Sequence, residues 1–347
     1  MIRTRPEGNP EHNSYGPARE TGGMPSHGYV LPTRGVVLSS EDSLEQAARV
    51  RSEVIDLARR AEALGFDGVW AGDSVLAKPR LEPLSTLSAV ATATEAVTLG
   101  TSVYLPQLRH PVHVAHQSAT IDLVSGGRLA LGLGVGVGPD VEAEHDQLGL
   151  PYGRRGALLD EGLEVIAGLW SGDRVTVDGE FFELEDAEIG VQPCGGPPPI
   201  YVASATFDPR EGFPRPIRER IAKHGNGWLP IGQSTEMYAA GIDRARDLVA
   251  EAGRGGEPFD AAYYQDVVIA ETEAAAIEEA RTFLDRYYPA WGELSDEDVR
   301  RRGAFGPPSV VAEHLERYAE AGVETFVTRF TARDQREQLR RFASLVQ

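Results

Sequence analysis

The sequence predicts an α/β fold, a TIM (β/α)8 barrel carrying an inserted β-hairpin segment, on three observations. Short Val-, Leu- and Tyr-rich runs of strand length alternate with helical patterns eight times along the chain. The series is interrupted once, between about 172 and 198, where Asp178-Gly179 stands between two short alternating runs as in a hairpin. The 347 residues, 41% hydrophobic, suffice for one large α/β domain or two smaller ones. A doubly wound open sheet is the competing architecture.

The elements follow in order. Residues 1 to about 27 are rich in Gly, Pro, Glu, Asn and Ser without periodicity and read as a disordered leader, so the barrel domain is placed at 28–347. GYVLPTRGVVL is the first strand and its turn. The next helix has Val50, Val54, Leu57, Ala61 and Leu64 on one face and ends at Gly65. FDGVWAGDS is the second strand, LEPLSTLSAVATAT a helix and VTLGTSVYLP the third strand. PVHVAHQSATIDLVSGG is a helix opened by Pro111 and closed by Gly126-Gly127. LALGLGVGV is the fourth strand, and the helix after it carries Leu159, Leu163, Ile166 and Leu169. Beyond the insertion come PIYVASA, a helix through Arg218 to Lys223, GNGWLPIG, a helix from about Thr235 to Glu251, and AAYYQDVVIAETE. Helices around 277–287 and 309–320, the eighth strand GVETFVTRF and a closing helix complete the chain.

Composition narrows the function. A net charge of −19 repels nucleic acid and anionic membranes alike. Cys194 is the only cysteine, which rules out an intrachain disulfide and fits a reducing cytoplasm. No apolar run reaches the about 20 residues of a membrane span. The stretch LALGLGVGVGPD invites a nucleotide-binding reading, but no register gives Gly-x-Gly-x-x-Gly, and no lysine lies between Lys78 and Lys223 to complete a phosphate loop. What remains is period two: Leu131, Leu133, Val135 and Val137 on one face of a strand, and Gly132, Gly134, Gly136 and Gly138 on the other. Such a face suits tight packing or the close approach of a flat ligand.

In a barrel the active site forms at the carboxyl ends of the strands. The residues placed there are Pro32, Thr33 and Arg34; Asp73 and Ser74; Ser102, Val103 and Tyr104; Gly134 to Gly138; Ser204 and Thr206; and Trp228 to Pro230. They include no metal-ligand spacing and no nucleophile elbow, and no charged cluster among them demands a phosphate or sulfonate. A mouth so poor in acids, bases and nucleophiles suits chemistry that belongs to a bound cofactor.

LPTRG, GFDGVWAGDS, RHPVHVAHQSATIDLVSGGRLALGLGVGVG, RRGALLDEGLEVIAGLWSG, DGEFFELEDAEIGVQPCGGPPPIYVAS, NGWLP and GPPSVVAEHLERYAEAGVETFVTRF occur in that order. Together they resemble the bacterial luciferase-like monooxygenases, over nearly all the chain after residue 27. The resemblance implies a TIM barrel, a homodimer, and reduced FMN or the deazaflavin coenzyme F-420 at the mouth. It further implies a third-strand bulge at Ser102-Val103, often a cis peptide, supporting the ring. Asp73 and Ser74 would face the ring, Gly134 and Gly136 would let it lie on bare backbone, and Ala203, Ser204, Thr206 and Trp228 fall near its phosphate. Many deazaflavin enzymes have Asp-His where this chain has Asp73-Ser74, and the usual Asp-Gly-Trp is here Asn226-Gly227-Trp228.

The leading expectation is a monooxygenase that uses reduced FMN, supplied by a separate flavin reductase, and O2 on a small organic substrate. Arg34, Asp73, Tyr104 and His110 are the residues expected to orient substrate or peroxide. The loop after strand four or the 172–198 insertion is expected to close the site. One alternative is an F-420-dependent hydride-transfer oxidoreductase, and another is a non-catalytic flavin-binding protein. His116, Arg128, Arg155 and Glu161 are read as structural, the last three through ion pairs; turn stabilisation is an equal reading for His110, and His145 and Cys194 are given no chemistry.

Overall fold

The structure, a computed structural model, describes residues 24–346. Most of the expected leader lies outside them, and the first strand begins at Ser26, inside the stretch read as leader. The first half of the chain comprises β1 (Ser26–Val30), α1 (Thr33–Ser39), α2 (Ser43–Arg49), α3 (Asp56–Ala63), β2 (Gly68–Ala71), α4 (Pro83–Ala91), β3 (Thr98–Tyr104), α5 (Pro111–Ser125), β4 (Leu129–Leu133), α6 (Pro139–Gln147) and α7 (Arg155–Ser171). The second comprises β5 (Val175–Asp178), β6 (Glu183–Ala187), β7 (Ile200–Val202), α8 (Arg215–His224), β8 (Gly227–Trp228), α9 (Thr235–Glu251), β9 (Asp260–Ile269), α10 (Glu273–Tyr287), α11 (Asp296–Arg300), β10 (Gly303–Gly306), α12 (Pro308–Glu320), β11 (Thr325–Phe330) and α13 (Gln335–Val346). A π-helical stretch, Val50–Ile55, joins α2 to α3.

All pairings in the main sheet are parallel, in the order β11-β1-β2-β3-β4-β7-β8, and β9 pairs with both β8 and β11. That double pairing closes an eight-stranded barrel and disposes of the open-sheet alternative. The expected hairpin is present as the antiparallel pair β5–β6. β10 is a ninth strand that the sequence reading did not anticipate, laid along the carboxyl half of β9 with Gly303 opposite Asp266. A Cβ on Gly303 would sit 1.9 Å from the Asp266 carbonyl oxygen, so only glycine permits this approach.

Alternation along the strands divides the core into two layers. Tyr29, Val69, Leu99, Leu131 and Phe326 face the helices, while Val30, Trp70, Ala130, Tyr201, Leu229, Ala262 and Val327 fill the barrel. Trp70 occupies the space that Gly28 and Gly100 vacate: a Cβ on either would lie 2.2 or 2.1 Å from its ring. The barrel is thus packed below its mouth.

The glycine run requires correction. β4 ends at Leu133, so Gly134, Gly136 and Gly138 belong to the loop leading into α6, and Gly136 and Gly138 adopt φ of 64° and 108°. Gly132 admits the Thr101 carbonyl oxygen, Gly134 the Val103 side chain and Gly136 the Val141 side chain, at 2.1, 2.8 and 2.9 Å from where a Cβ would stand. The wall is not bare, because neighbours fill it.

Arg128, Arg155 and Glu161 are structural, but they act on backbone and not through ion pairs. Arg128 donates to the carbonyls of Ala91, Thr94, Val97 and Ser125, and Arg155 to those of Gly136 and Tyr152. Glu161 accepts from three amides of the hairpin turn, Glu180 to Phe182. His145 is fully buried in α6, its Nδ1 at 2.7 Å from the Val141 carbonyl. No helix among the described residues is long and apolar enough to cross a membrane.

Candidate active site

A pocket opens at the carboxyl ends of β1, β2, β3, β9 and β11. Its floor includes Gly72 and Ser102, and its walls are cationic and aromatic: Arg34, Arg80 and Arg329 with Tyr264, Tyr287 and Tyr288. The mouth therefore holds a charged cluster that reading the strand ends did not reveal.

Two strands create one half of it. The inward parity of β9 runs Ala262, Tyr264, Asp266, and that of β11 runs Val327, Arg329. Asp266 and Arg329 are register partners, and Asp266 accepts from Arg329 Nε at 2.7 Å, Arg329 Nη2 at 2.9 Å and Arg302 Nε at 2.6 Å. Burial would raise this carboxyl, but Arg329 and Arg302 outweigh it and hold Asp266 below the usual range.

The end of α10 roofs the pocket. Tyr288 stacks on Trp291, centroids 3.8 Å apart, and its phenol oxygen accepts from Arg329 Nη1 at 2.5 Å. Arg34 lies 5.7 Å and Lys78 5.5 Å from the Tyr288 ring centroid. Burial alone would push this phenol up, yet Arg329 and Arg80 bring it down to about 8. The connection after β9 thus covers the pocket, and Asp140, where the loop after β4 enters α6, bears on Arg34 and Lys78, whereas the insertion lies on the outer helices, with Phe182 beside Pro111, Leu158 and Gly162.

The depressed phenol is testable. Ultraviolet difference titration is expected to detect one tyrosine ionising near pH 8, absent from Tyr288→Phe. Because the folded value lies below the ordinary 10, this group adds stability above about pH 10 and loses it as pH falls through about 8. A first phenolic step near 10 would contradict the cationic surroundings described.

Of the residues expected to act, Arg34 and Ser102 line the pocket together. Asp73 lies at the end of β2, where its oxygens accept from Arg109 at 2.6 and 3.0 Å and from the Leu105 amide at 3.0 Å, while burial outweighs these bonds and pushes its carboxyl up. Ser74 faces Glu144 and not the mouth: it donates to Oε1 at 3.1 Å, and the same oxygen accepts from the amides of Val75, Leu76 and Ala77. Tyr104 is fully buried on the helix-facing side of β3 beneath Arg109 and does not line the pocket. His110 caps α5, accepting weakly from the Val112 amide at 3.4 Å, and its ring packs on Phe182. Trp228 is fully buried and donates to the Ser204 carbonyl at 3.0 Å, propping the loop after β7 from beneath. Ala203 and Ser204 are half-buried in that loop and Thr206 is exposed.

Comparison with known proteins adds the lineage. The luciferase-like monooxygenase family profile matches residues 28–325. The chain belongs to this family. Among curated relatives, an F-420-dependent glucose-6-phosphate dehydrogenase from Kineococcus radiotolerans is 29% identical over 332 residues, 88% of this chain and 95% of its own. Another, from Amycolatopsis mediterranei, is 32% identical over 213 residues, 59% of this chain and 60% of its own. An F-420-dependent secondary alcohol dehydrogenase solved with an F-420–acetone adduct superposes with a TM-score of 0.75 at 19% identity, over 93% of this chain and 98% of that one. This last likeness concerns the fold.

A luciferase-like ring cofactor fits the residues present, though not on bare glycine. The Ser102-Val103 peptide is cis, and Val103 is half-buried at the mouth as an apolar surface. Beside it the Ser102 hydroxyl is buried and has no partner. Arg80, Tyr287, Tyr288 and Arg329 were missed because they reach the site from a loop, a helix end and a late strand. The available signal was charge at inward positions of adjacent strands, Asp266 and Arg329.

Proposed function

We propose that this protein is an oxidoreductase that uses coenzyme F-420 to transfer a hydride to or from a small hydroxyl- or carbonyl-bearing substrate. What carries this reading is the alignment, over 88% of the chain, with an F-420-dependent dehydrogenase. It favours hydride transfer over the oxygen chemistry that led the expectations from sequence.

When bound, the deazaflavin supplies a two-electron hydride carrier. Val103 offers the ring an apolar platform, and the unpartnered Ser102 hydroxyl offers it a hydrogen bond. The hydroxyls of Ser204 and Thr206 flank the site proposed for the cofactor phosphate. Tyr288 and Tyr287 cover the pocket and limit water. The Tyr288 phenol, at about 8, can hold or release at Oη the proton that accompanies hydride movement.

Titration of the purified chain with oxidised F-420 and with reduced FMN tests the cofactor choice. F-420 is expected to bind at least about tenfold more tightly, a difference of about 1.4 kcal/mol. Preference for reduced FMN would overturn the reading.

A further inference from the structure

We propose that Arg34 and Arg80, with Lys78 beside them, form a subsite for an oxyanion of the substrate, a phosphate or a carboxylate. The proposal rests on the reading above, in which the ring lies against Ser102-Val103 and the substrate fills the remaining pocket.

Arg34 is 6% exposed, and its Nε and Nη1 are buried without an acceptor. Among the described residues two other arginines are equally buried, and both are neutralised: Arg220 bonds Asp160 at 2.6 Å and Arg329 bonds Asp266. Arg34 packs on aromatic rings, its guanidinium 5.5 Å from the Tyr287 centroid, with like charge from Arg80 beside it; Asp140 is the carboxylate whose field reaches it and Lys78, without bonding either. Arg80 repeats the pattern. Its Nε is buried without a partner, and its Nη1 lies across Gly72, 2.2 Å from where a Cβ would be. Lys78, one of two lysines in the chain, stands over Tyr288 in the same cluster. None of the three ion-pairs with a described carboxylate. In a chain of net charge −19, a buried guanidinium with no bonded acceptor is costly to the fold, which a ligand that supplies the acceptor explains. Two guanidinium forks and an ammonium suit the planar or tetrahedral oxygens of an oxyanion.

The place of the cluster separates it from the cofactor. Arg34 follows β1, whereas Ser204 and Thr206 follow β7, half the barrel away in strand order. Ser102 lines the same pocket as Arg34, so an anion held there lies beside the ring platform.

Calorimetric titration of the full chain with inorganic phosphate, and separately with acetate, tests the subsite. At least one is expected to bind, and Arg34→Met and Arg80→Met are expected to weaken that binding about 10–100-fold. Arg215→Met, a change on an exposed side chain, should leave it unchanged. Arg34→Met is also expected to raise the melting temperature in the absence of anion, because it removes a buried unpaired charge. A merely structural Arg34 would lower it. Absence of anion binding to the wild type, or equal loss in Arg215→Met, would overturn the proposal. So would displacement of phosphate by F-420 together with an equal loss of F-420 affinity in Arg34→Met, since the anion would then be the cofactor's own. Phosphate binding that depends on Arg34 in a chain that ignores F-420 would sustain the subsite and reject the cofactor reading.

Discussion

Asp266→Ala is expected to cost the fold about 3–5 kcal/mol in chemical denaturation, the range for stripping one partner from a buried ion pair. The side chain is wholly buried, and it accepts from Arg329 Nε and Nη2 and from Arg302 Nε. With it gone, two guanidinium groups face each other beneath Tyr288 without a counter-charge. The loss falls on β9, β11 and the approach to β10, which Asp266 holds together. Asp266→Ala combined with Arg329→Met should recover part of the stability, because a neutral pair of similar volume needs no solvation. A cost below about 1 kcal/mol, the value of a surface pair, would contradict this account of the charge network.

Gly134→Val is expected to leave the barrel folded and to weaken ring binding about 10–100-fold, the equivalent of about 1–3 kcal/mol of overpacking. The missing side chain at 134 is what gives Val103 its place, with Cγ2 2.8 Å from the would-be Cβ. A valine there pushes Val103 and the bulge out of position, so the effect reaches the ring through its platform. Gly136→Val is a poorer probe, because φ of 64° at Gly136 strains any branched residue whatever lies nearby. Unchanged F-420 affinity in Gly134→Val would remove Val103 from the ring platform.

The barrel was legible because its strands are short apolar runs separated by helices with clear faces, so eight units could be counted from periodicity alone. β10 escaped because its terminal residues Gly303 and Gly306 look like breakers, whereas Gly303 is the condition for contact with β9. The spacing of Gly132, Gly134 and Gly136 was read correctly as a demand for room, but sequence does not say what fills the room. A carbonyl oxygen, Val103 and Val141 do. Arg34, just after β1, and Ser102, near the end of β3, line the pocket because strand-end positions open there. Asp73, Tyr104, His110 and Trp228 are also near strand ends, but their side chains are engaged by other partners and do not line the pocket. Tyr287 reads as the last residue of a helix with Tyr288 just beyond it, and nothing local indicates that this helix end lies over the site.

The central claim, hydride transfer with a deazaflavin, is tested most directly by incubating the chain with oxidised F-420 and a panel of deuterated secondary alcohols under anaerobic conditions. The account predicts that the visible absorbance of F-420 bleaches, with deuterium delivered to the coenzyme and a ketone released. Absence of transfer across the panel, together with O2 uptake and an oxygenated product when reduced FMN is supplied, would contradict it.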